Sequence, residues 1–190
     1  VETNAFTMCL DWKGDLWISG WDCGIFHYSI EESCFKNYLT DRGRPILQGR
    51  IHTIKAFEPN KIYIGSDQGL TLFDPSTQKY ITTSYNRNNS SSLSDDFVYD
   101  ILKDNEGGLW ITTYFGGINY SNPNSSNFTI RHCATESARG RIISKFHEDK
   151  NGDIFIGTDD GGLFIYNPIK DKCHRYTVIV CGYYWLSVIC

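Results

Sequence analysis

Positive charge is scarce in this sequence. Its 190 residues contain 18 lysines and arginines against 22 aspartates and glutamates, which gives a net charge of −4 and a pI near 5.7. A domain that binds nucleic acid needs a basic patch or stripe, so this composition argues against a nucleic-acid partner. Disorder is also excluded, because aromatic residues make up 15% of the chain and can supply a packed core.

Closely spaced cysteines are absent as well. No pair has the short spacing of a zinc site or a redox motif. The seven scattered cysteines are Cys9, Cys23, Cys34, Cys133, Cys173, Cys181 and Cys190. We expect them to be small buried hydrophobic residues in preference to a disulfide framework, so composition leaves the cellular compartment open.

Motifs for catalysis are missing too. The sequence has no context for a serine-histidine-aspartate triad, no glycine-rich phosphate loop, no histidine pair spaced for a metal, and no phosphoacceptor motif of a histidine kinase. The pairs Asp95–Asp96 and Asp159–Asp160 are neighbours in extended loops and point apart, which makes each a poor candidate for glycoside hydrolysis. Segment 149–153 begins like a calcium loop, but Asp160 stands where a glutamate is needed, so we interpret the segment as an Asn-Gly hairpin turn. We therefore predict no enzyme activity, cofactor or metal.

The sequence does contain one motif repeated four times. In the clearest copy, residues 105–118, a turn with two glycines precedes the apolar run Leu109–Thr113, and a second glycine pair follows. Glycine supplies the positive φ of a tight hairpin, and the run has the composition of a strand. The aromatic residues at the centres of the copies, spaced by 46, 47 and 45 residues, are Trp17, Tyr63, Trp110 and Phe155.

Each copy also carries an apolar strand before the motif, a strand that starts at its glycine, and a fourth strand beyond. The predicted first strands are Ala5–Leu10, Ile51–Phe57, Phe97–Leu102 and Ile142–Phe146. The predicted fourth strands are Phe35–Leu39, Lys79–Thr83, Phe128–His132 and His174–Val180. Short strands with a period of this length are typical of propeller blades, so we predict an all-β fold of about four four-stranded antiparallel blades. The predicted repeats within residues 1–176 are approximately 5–44, 51–92, 97–140 and 142–176.

The final segment, residues 177–190, is nearly all apolar. It is shorter than the ~20 residues that span a bilayer as a helix. Three interpretations stay open: a last blade strand with the start of a fifth blade, the beginning of a transmembrane helix, or a truncated or frame-shifted end. Its β-branched and aromatic content favours a strand.

The repeated motif resembles the two-component regulator propeller repeat of bacterial sensor proteins. The resemblance rests on Ser-Leu-Ser-Asp-Asp-Phe-Val-Tyr-Asp-Ile at 92–101, on the strand around Trp110, and on Gly-Thr-Asp-Asp-Gly-Gly-Leu at 157–163, and it covers roughly residues 5–176. It implies that the chain is a piece of a longer sensor, in which four blades form an arc of a probable seven-bladed propeller. It also implies a periplasmic location within a membrane-anchored, dimeric hybrid sensor histidine kinase. The remaining blades and neighbouring sensor domains would then be partners.

The candidate ligand site is the end of the propeller where the loops between second and third strands meet the loops between blades. Aromatic, arginine and carboxylate side chains there suit sugar rings and anionic sugars, through stacking and directional hydrogen bonds. The candidate residues are Trp21, Asp22, Asp67, Gln68, Tyr114, Phe115, Asp159, Asp160, Arg44, Arg87 and Arg139. The competing interpretation is that the aromatic rings pack between blades and the arginines are simply solvated.

Three functions remain open from sequence. The resemblance favours a sensor module that binds an oligosaccharide and transmits the signal without catalysis. A scaffold for protein–protein interaction is the alternative, and a propeller lyase or hydrolase is the least favoured.

Overall fold

Strands alone make up the described part of the chain. The computed structural model describes residues 5–41, 44–122, 124, 128–131, 143–159 and 161–176, with the backbone alone for 41, 44 and 45. None of these residues belongs to a helix, and so within these ranges no helix is available to cross a lipid bilayer. The predicted tail 177–190 lies outside the described residues.

Four antiparallel sheets of four strands form the blades, and in each sheet the strands lie side by side in chain order. The first blade contains β1 (Ala5–Leu10), β2 (Leu16–Gly20), β3 (Ile25–Ser29) and β4 (Cys34–Tyr38). A short ladder of β5 (Thr40–Asp41) and β6 (Arg44–Pro45) leads to the second blade. That blade contains β7 (Ile51–Glu58), β8 (Lys61–Ser66), β9 (Gly69–Asp74) and β10 (Lys79–Thr83).

The third and fourth blades repeat this arrangement. The third contains β11 (Val98–Lys103), β12 (Leu109–Thr113), β13 (Gly117–Ser121) and β14 (Phe128–Arg131). The fourth contains β15 (Ile143–Glu148), β16 (Ile154–Thr158), β17 (Gly162–Asn167) and β18 (Lys172–Tyr176). The predicted all-β fold of four four-stranded antiparallel blades is confirmed, while the blade count of a complete propeller stays a prediction.

The bounds of the last strand differ from the prediction. We expected His174–Val180, but β18 begins at Lys172, which pairs with Asn167 across a turn. The side-chain oxygen of Asn167 accepts a hydrogen bond from the backbone N–H of Lys170 at 2.8 Å, and this tight turn lets pairing start early. Residues beyond 176 lie outside the described part.

The apolar core lies between blades. The first strand of each blade contacts the first strand of the next, so β1, β7, β11 and β15 form the inner edge, and the fourth strands are mostly exposed. Trp17, Tyr63 and Trp110 each belong to the apolar cluster that joins their own blade to the following one. Phe155, whose blade is the last described, is only half-buried. The repeated aromatic residues therefore hold neighbouring blades together.

A bulge recurs at the start of every first strand. Pairing with the second strand shifts at the same place in all four blades, at Ala5/Thr7, Ile51/Thr53, Val98/Asp100 and Ile143/Lys145. A bulge bends its strand and increases the local twist. The inner edge of each blade therefore turns as it approaches the loops that follow the second strand.

A buried carboxylate on β11 connects three blades. The side chain of Asp100 is 3% exposed and accepts hydrogen bonds from the Thr53 hydroxyl at 3.0 Å and from the backbone N–H of Phe146 at 3.3 Å. Its Oδ1 also lies 3.3 Å from Nζ of Lys55 and 3.8 Å from Nζ of Lys145. A buried charge is costly without such partners, so Asp100 favours one arrangement of the second, third and fourth blades.

Four cysteines lie within the described residues. Cys9, Cys23, Cys34 and Cys173 are all half-buried. Burial raises the pKa of the Cys9 thiol to about 11, which keeps it protonated at neutral pH.

Candidate ligand-binding face

The loops after the second strands and the loops between blades meet at one end of the molecule. We call this end the loop face, and its described segments are 21–24, 46–50, 67–68, 84–97, 114–116 and 159 with 161. Trp21 forms an isolated bridge with Arg50, and Tyr114 donates its backbone N–H to the carbonyl of Phe97 at 2.9 Å. Loops that are distant in sequence are therefore joined by backbone contacts.

Arg50 lies between two aromatic rings of the first blade. Its guanidinium carbon is 3.7 Å from the centroid of the Phe6 ring and 5.7 Å from that of Trp21. The Trp21 side chain is 63% exposed. A cation over an aromatic ring is attracted to its π face, and here the contact presents an indole to solvent beside a positive charge.

The carboxylates of this region hold the loops in place. Asp22 accepts a hydrogen bond from the backbone N–H of Gly49 at 2.6 Å. Asp67 accepts one from the backbone N–H of Arg50 at 3.1 Å, and its other oxygen lies 2.6 Å from Nε2 of His52. Burial lowers the pKa of His52, although Asp67 opposes the shift, so the imidazole is neutral at pH 7. These contacts position the loops, and the predicted role of Asp22 and Asp67 as ligand residues stays a prediction.

A row of aromatic rings crosses from the second blade to the third. His52 stacks on Tyr99 with ring centroids 4.1 Å apart, and Tyr99 lies 5.4 Å from Tyr114. Tyr114 contacts Phe115 edge-on at 4.4 Å, and Phe115 is 73% exposed. Phe97, on the other side of Tyr114, is also partly exposed. The row ends in rings that are accessible to a ligand.

The segment before β11 holds the 114–116 loop, and so the rings of Tyr114 and Phe115, in place. Ser94 and the buried Asn119 exchange two hydrogen bonds, at 2.9 and 2.8 Å. A Cβ on Gly116 would lie 2.1 Å from the Ser94 hydroxyl oxygen, so only glycine allows the 114–116 loop to lie this close. Asp95 then accepts the backbone N–H of Phe115 at 2.9 Å, so this carboxylate caps the loop.

The segment that contains Ser94, Asp95 and Phe115 matches a known protein family. Residues 92–115 match the family described as two component regulator propeller. This part of the third blade is similar to a two component regulator propeller repeat. The resemblance predicted from the sequence is confirmed, and the Ser94–Asn119 and Asp95–Phe115 contacts give a physical role to the lead-in part of that repeat.

Solved structures share the fold of this repeat array. One is the extracellular domain of a protein described as the hybrid two component system BT3049 from B. thetaiotaomicron, with a TM-score of 0.77, 22% identity, and coverage of 93% of this chain and 25% of that one. Another, from the same organism, is the extracellular domain of BT4673, with a TM-score of 0.71, 20% identity, and coverage of 90% and 24%. The chain thus spans about a quarter of the length of these structures.

An enzyme has the same kind of fold. Virginiamycin B lyase from Staphylococcus aureus aligns with a TM-score of 0.68 and 12% identity, over 93% of this chain and 56% of that one. Such a likeness concerns the propeller fold and says nothing about the chemistry of its loops. No match was found among curated proteins.

The structure gives less detail for the remaining predicted site residues. Gln68, Arg87 and Asp159 are exposed. Arg44 is described by its backbone in β6. Outside the described residues lie Asp160 and Arg139.

Sequence reasoning missed three residues that contact the loop face from neighbouring strands. Phe6, His52 and Tyr99 belong to first strands, where their alternation with apolar neighbours suggested only a role in the core. Arg50 was not among the candidate ligand residues. It lies directly before β7, in a loop between blades, as the predicted arginines do.

The turn at Asp149 has the expected structure. Its carboxylate accepts backbone N–H groups from Asn151 at 2.8 Å and from Asp153 at 3.0 Å, and Gly152 has φ of +82°. This is the hairpin turn predicted in preference to a calcium loop.

Proposed function

We propose that this chain is part of a ligand-sensing propeller in a hybrid two-component signalling protein, and that it acts by binding and signal transmission without catalysis. The two component regulator propeller repeat supports this proposal. So does the likeness in fold to structures described as extracellular domains of such systems. Under this proposal the chain lies in the periplasm, and the kinase, membrane anchor, dimer interface and remaining blades belong to other parts of the parent protein.

The ligand we propose is an oligosaccharide bound at the loop face. The observation that carries this proposal is the pair of exposed rings, Trp21 and Phe115, each held by contacts from a neighbouring loop. Rings that are exposed yet fixed offer a stacking surface at low entropic cost, as sugar faces require. Arg50 adds a positive charge beside one ring, which suits an acidic sugar. Gln68, Asp159, Asp160, Arg44, Arg87 and Arg139 remain candidates for further polar contacts.

The test is calorimetric titration of neutral and acidic glycans against the whole sensor region. The variant Trp21→Ala/Tyr114→Ala/Phe115→Ala should lose at least about tenfold in affinity, because removing a stacking ring from a binding site costs about 1–3 kcal/mol. A matched control, Tyr80→Ala/Tyr176→Ala, removes exposed aromatic rings from the outer strands β10 and β18 and should leave binding unchanged. Both variants must keep the wild-type melting temperature.

Two results would count against the proposal. If wild type binds a glycan and the triple variant binds it equally well, the loop face is not the sugar site. If no glycan binds, the loop face becomes a candidate protein-interaction surface, and the scaffold alternative takes precedence.

A further inference from the structure

Three side chains that can bind a metal meet at the hairpin end of the first blade, opposite the loop face. Asp11 follows β1, Asp15 precedes β2, and His27 lies on β3. Nε2 of His27 is 3.5 Å from Oδ2 of Asp15 and 3.7 Å from Oδ2 of Asp11, and the three atoms lie within 4.8 Å of one another. Two carboxylates and one imidazole therefore converge on a single point.

The separations are too long for good hydrogen bonds and suit an ion. Nitrogen-to-oxygen hydrogen bonds are usually about 2.7–3.2 Å long. Metal–ligand bonds of about 2.0–2.2 Å arranged tetrahedrally place neighbouring ligand atoms roughly 3.4 Å apart. The observed distances from the imidazole to both carboxylates are close to that value. We propose that Asp11, Asp15 and His27 bind a divalent transition-metal ion, with Zn²⁺ as the best fit.

The other polar atoms of the two carboxylates are already held. Oδ1 of Asp11 accepts backbone N–H groups from Lys13 at 2.8 Å and from Asp15 at 3.1 Å. The Trp17 indole N–H donates to Oδ2 of Asp11 at 3.1 Å, which leaves that oxygen one more lone pair. Oδ1 of Asp15 accepts the backbone N–H of Ile30 at 2.9 Å, and Oδ2 is then directed at the imidazole. Outer contacts of this kind orient metal ligands.

The imidazole is fixed by packing. The Trp17 ring lies 4.5 Å from that of His27, and the His27 side chain is only 14% exposed. The side chains of Asp11 and Asp15 are 2% and 13% exposed. The three ligands therefore need little rearrangement, and the remaining exposure leaves a path for an ion and a bound water.

The third blade shows that the hairpin itself does not need this triad. Asp104 repeats the role of Asp11, because it accepts the backbone N–H of Gly108 at 2.6 Å and the indole N–H of Trp110 at 2.7 Å. The positions of Asp15 and His27 are taken there by Gly108 and Tyr120, the residues that precede the strand and pair with the tryptophan. A turn with the same hydrogen bonds thus forms without a second carboxylate or an imidazole.

The donor set indicates the class of metal. Imidazole suits Zn²⁺, Cu²⁺, Fe²⁺ and Ni²⁺, while Ca²⁺ and Mg²⁺ prefer sites made of oxygen atoms. Three protein ligands and one water complete the tetrahedral shell that Zn²⁺ adopts. The ion would connect the β1–β2 hairpin to β3 and so stabilise the first blade.

The experiment is titration of metal-free protein, without a histidine tag, with Zn²⁺ and separately with Ca²⁺ by calorimetry. Wild type should bind about one Zn²⁺ per chain in preference to Ca²⁺ and should melt at a higher temperature when Zn²⁺ is present. His27→Gln and Asp15→Gly should each weaken Zn²⁺ binding by at least about tenfold. Asp15→Gly places at this turn the residue that the third blade already tolerates, so loss of binding there is not loss of folding.

Matched controls separate this site from weak binding elsewhere. His147→Gln removes an exposed imidazole from the fourth blade, and Asp153→Gly changes the same turn position in that blade. Both should bind Zn²⁺ like wild type. Zn²⁺ binding that survives His27→Gln and Asp15→Gly, a preference for Ca²⁺, or no Zn²⁺ binding at all would each overturn the proposal. The outcome is independent of glycan binding at the loop face.

Discussion

At the scale of single residues, the tryptophan at the centre of the first and third repeats packs in the core and also donates a hydrogen bond. Trp110 is 2% exposed and contacts the rings of Tyr120 and Tyr166 at 4.6 and 5.4 Å. Its indole N–H is bonded to Asp104, so the polar atom of a buried ring has a partner. Trp17 and Asp11 form the same pair in the first blade. One side chain thus joins a hairpin turn to the contact between blades.

Trp110→Ala should lower the free energy of unfolding by roughly 3–5 kcal/mol, the usual range for truncating a large buried aromatic residue. Denaturant unfolding followed by circular dichroism measures the loss. Ile81→Ala is the control, because Ile81 is 71% exposed, and it should change stability by less than about 0.5 kcal/mol. A loss below about 1 kcal/mol for Trp110→Ala would show that the ring is not part of the core.

Asp74 should titrate far below an ordinary aspartate. Hydrogen bonds from the hydroxyl groups of Ser76 and Thr77 lower its pKa from 3.8 to about 2. Because the folded-state pKa is the lower one, the stabilisation that Asp74 contributes is fully present above about pH 4 and is lost as the pH falls through about 2. Carbon-detected NMR of the carboxyl group measures the midpoint. Ser76→Ala/Thr77→Ala should raise it towards 3.8, and a wild-type midpoint already near 3.8 would contradict the assignment.

Sequence alone predicted the exposure of some loop-face residues but not the contacts of others, for a physical reason. Trp21 and Phe115 lie in loops shortly before a third strand. Side chains at such loop positions are not part of the apolar core, so the exposure of these two rings could be predicted. Phe6 and Arg50 meet only because the first two blades stack face to face. The row from His52 to Tyr114 likewise depends on how strands of different blades approach each other. Repeat spacing does not contain that information.

At the scale of elements, the β-hairpins repeat one set of turns with local adjustments. The period of the aromatic residues was enough to predict four-stranded units, because each unit needs the same strands and turns to cover its neighbour's apolar face. Strand ends were harder to predict, as β18 shows, because a turn capped by Asn167 can start pairing two residues early. Glycines in the turns and loops of the blades differ in how much the stability of the fold depends on them.

Gly69→Ala should destabilise the second blade more than Gly14→Ala destabilises the first. Both residues have positive φ, at +114° and +84°, and that strain costs on the order of 1–3 kcal/mol for a non-glycine residue. A Cβ at Gly69 would also lie 2.3 Å from the backbone carbonyl oxygen of Thr83, whereas a Cβ at Gly14 would meet nothing within 4 Å. Thermal unfolding of the two variants measures the difference. Equal losses of stability in the two variants would mean that β10 moves away from the added Cβ without a cost in free energy.

At the scale of the whole molecule, the outer face of the first blade has no neighbour among the described residues. Phe6, Met8 and Leu10 on β1 are 54%, 65% and 65% exposed, and Phe35 on β4 is 63% exposed. Strand pairing places Leu10 and Phe35 on the same face, in line with Tyr28. In the second, third and fourth blades the equivalent face is covered by the preceding blade. An apolar face of this kind favours association.

The 190-residue chain should therefore self-associate in solution. Sedimentation velocity should show oligomers that increase with concentration, and Met8→Lys/Leu10→Lys should shift the distribution towards monomer by charging the open face. Ile81→Lys/Ile169→Lys adds the same charge at exposed positions away from that face and should leave association unchanged. A monodisperse wild-type monomer with a sharp, cooperative melt would contradict this expectation.

The bulge at the start of each first strand has a consequence for how such proteins evolve. Every blade carries its own bulge, and each of the first three carries an aromatic residue that contacts the next blade, so the geometry needed to continue the array is encoded within each copy. Duplication of one repeat's worth of codons would add a blade already curved to fit, and deletion would remove one without distorting the rest. The loops between these copies can meanwhile accumulate substitutions independently, so one blade can change its loops without altering the packing of the others.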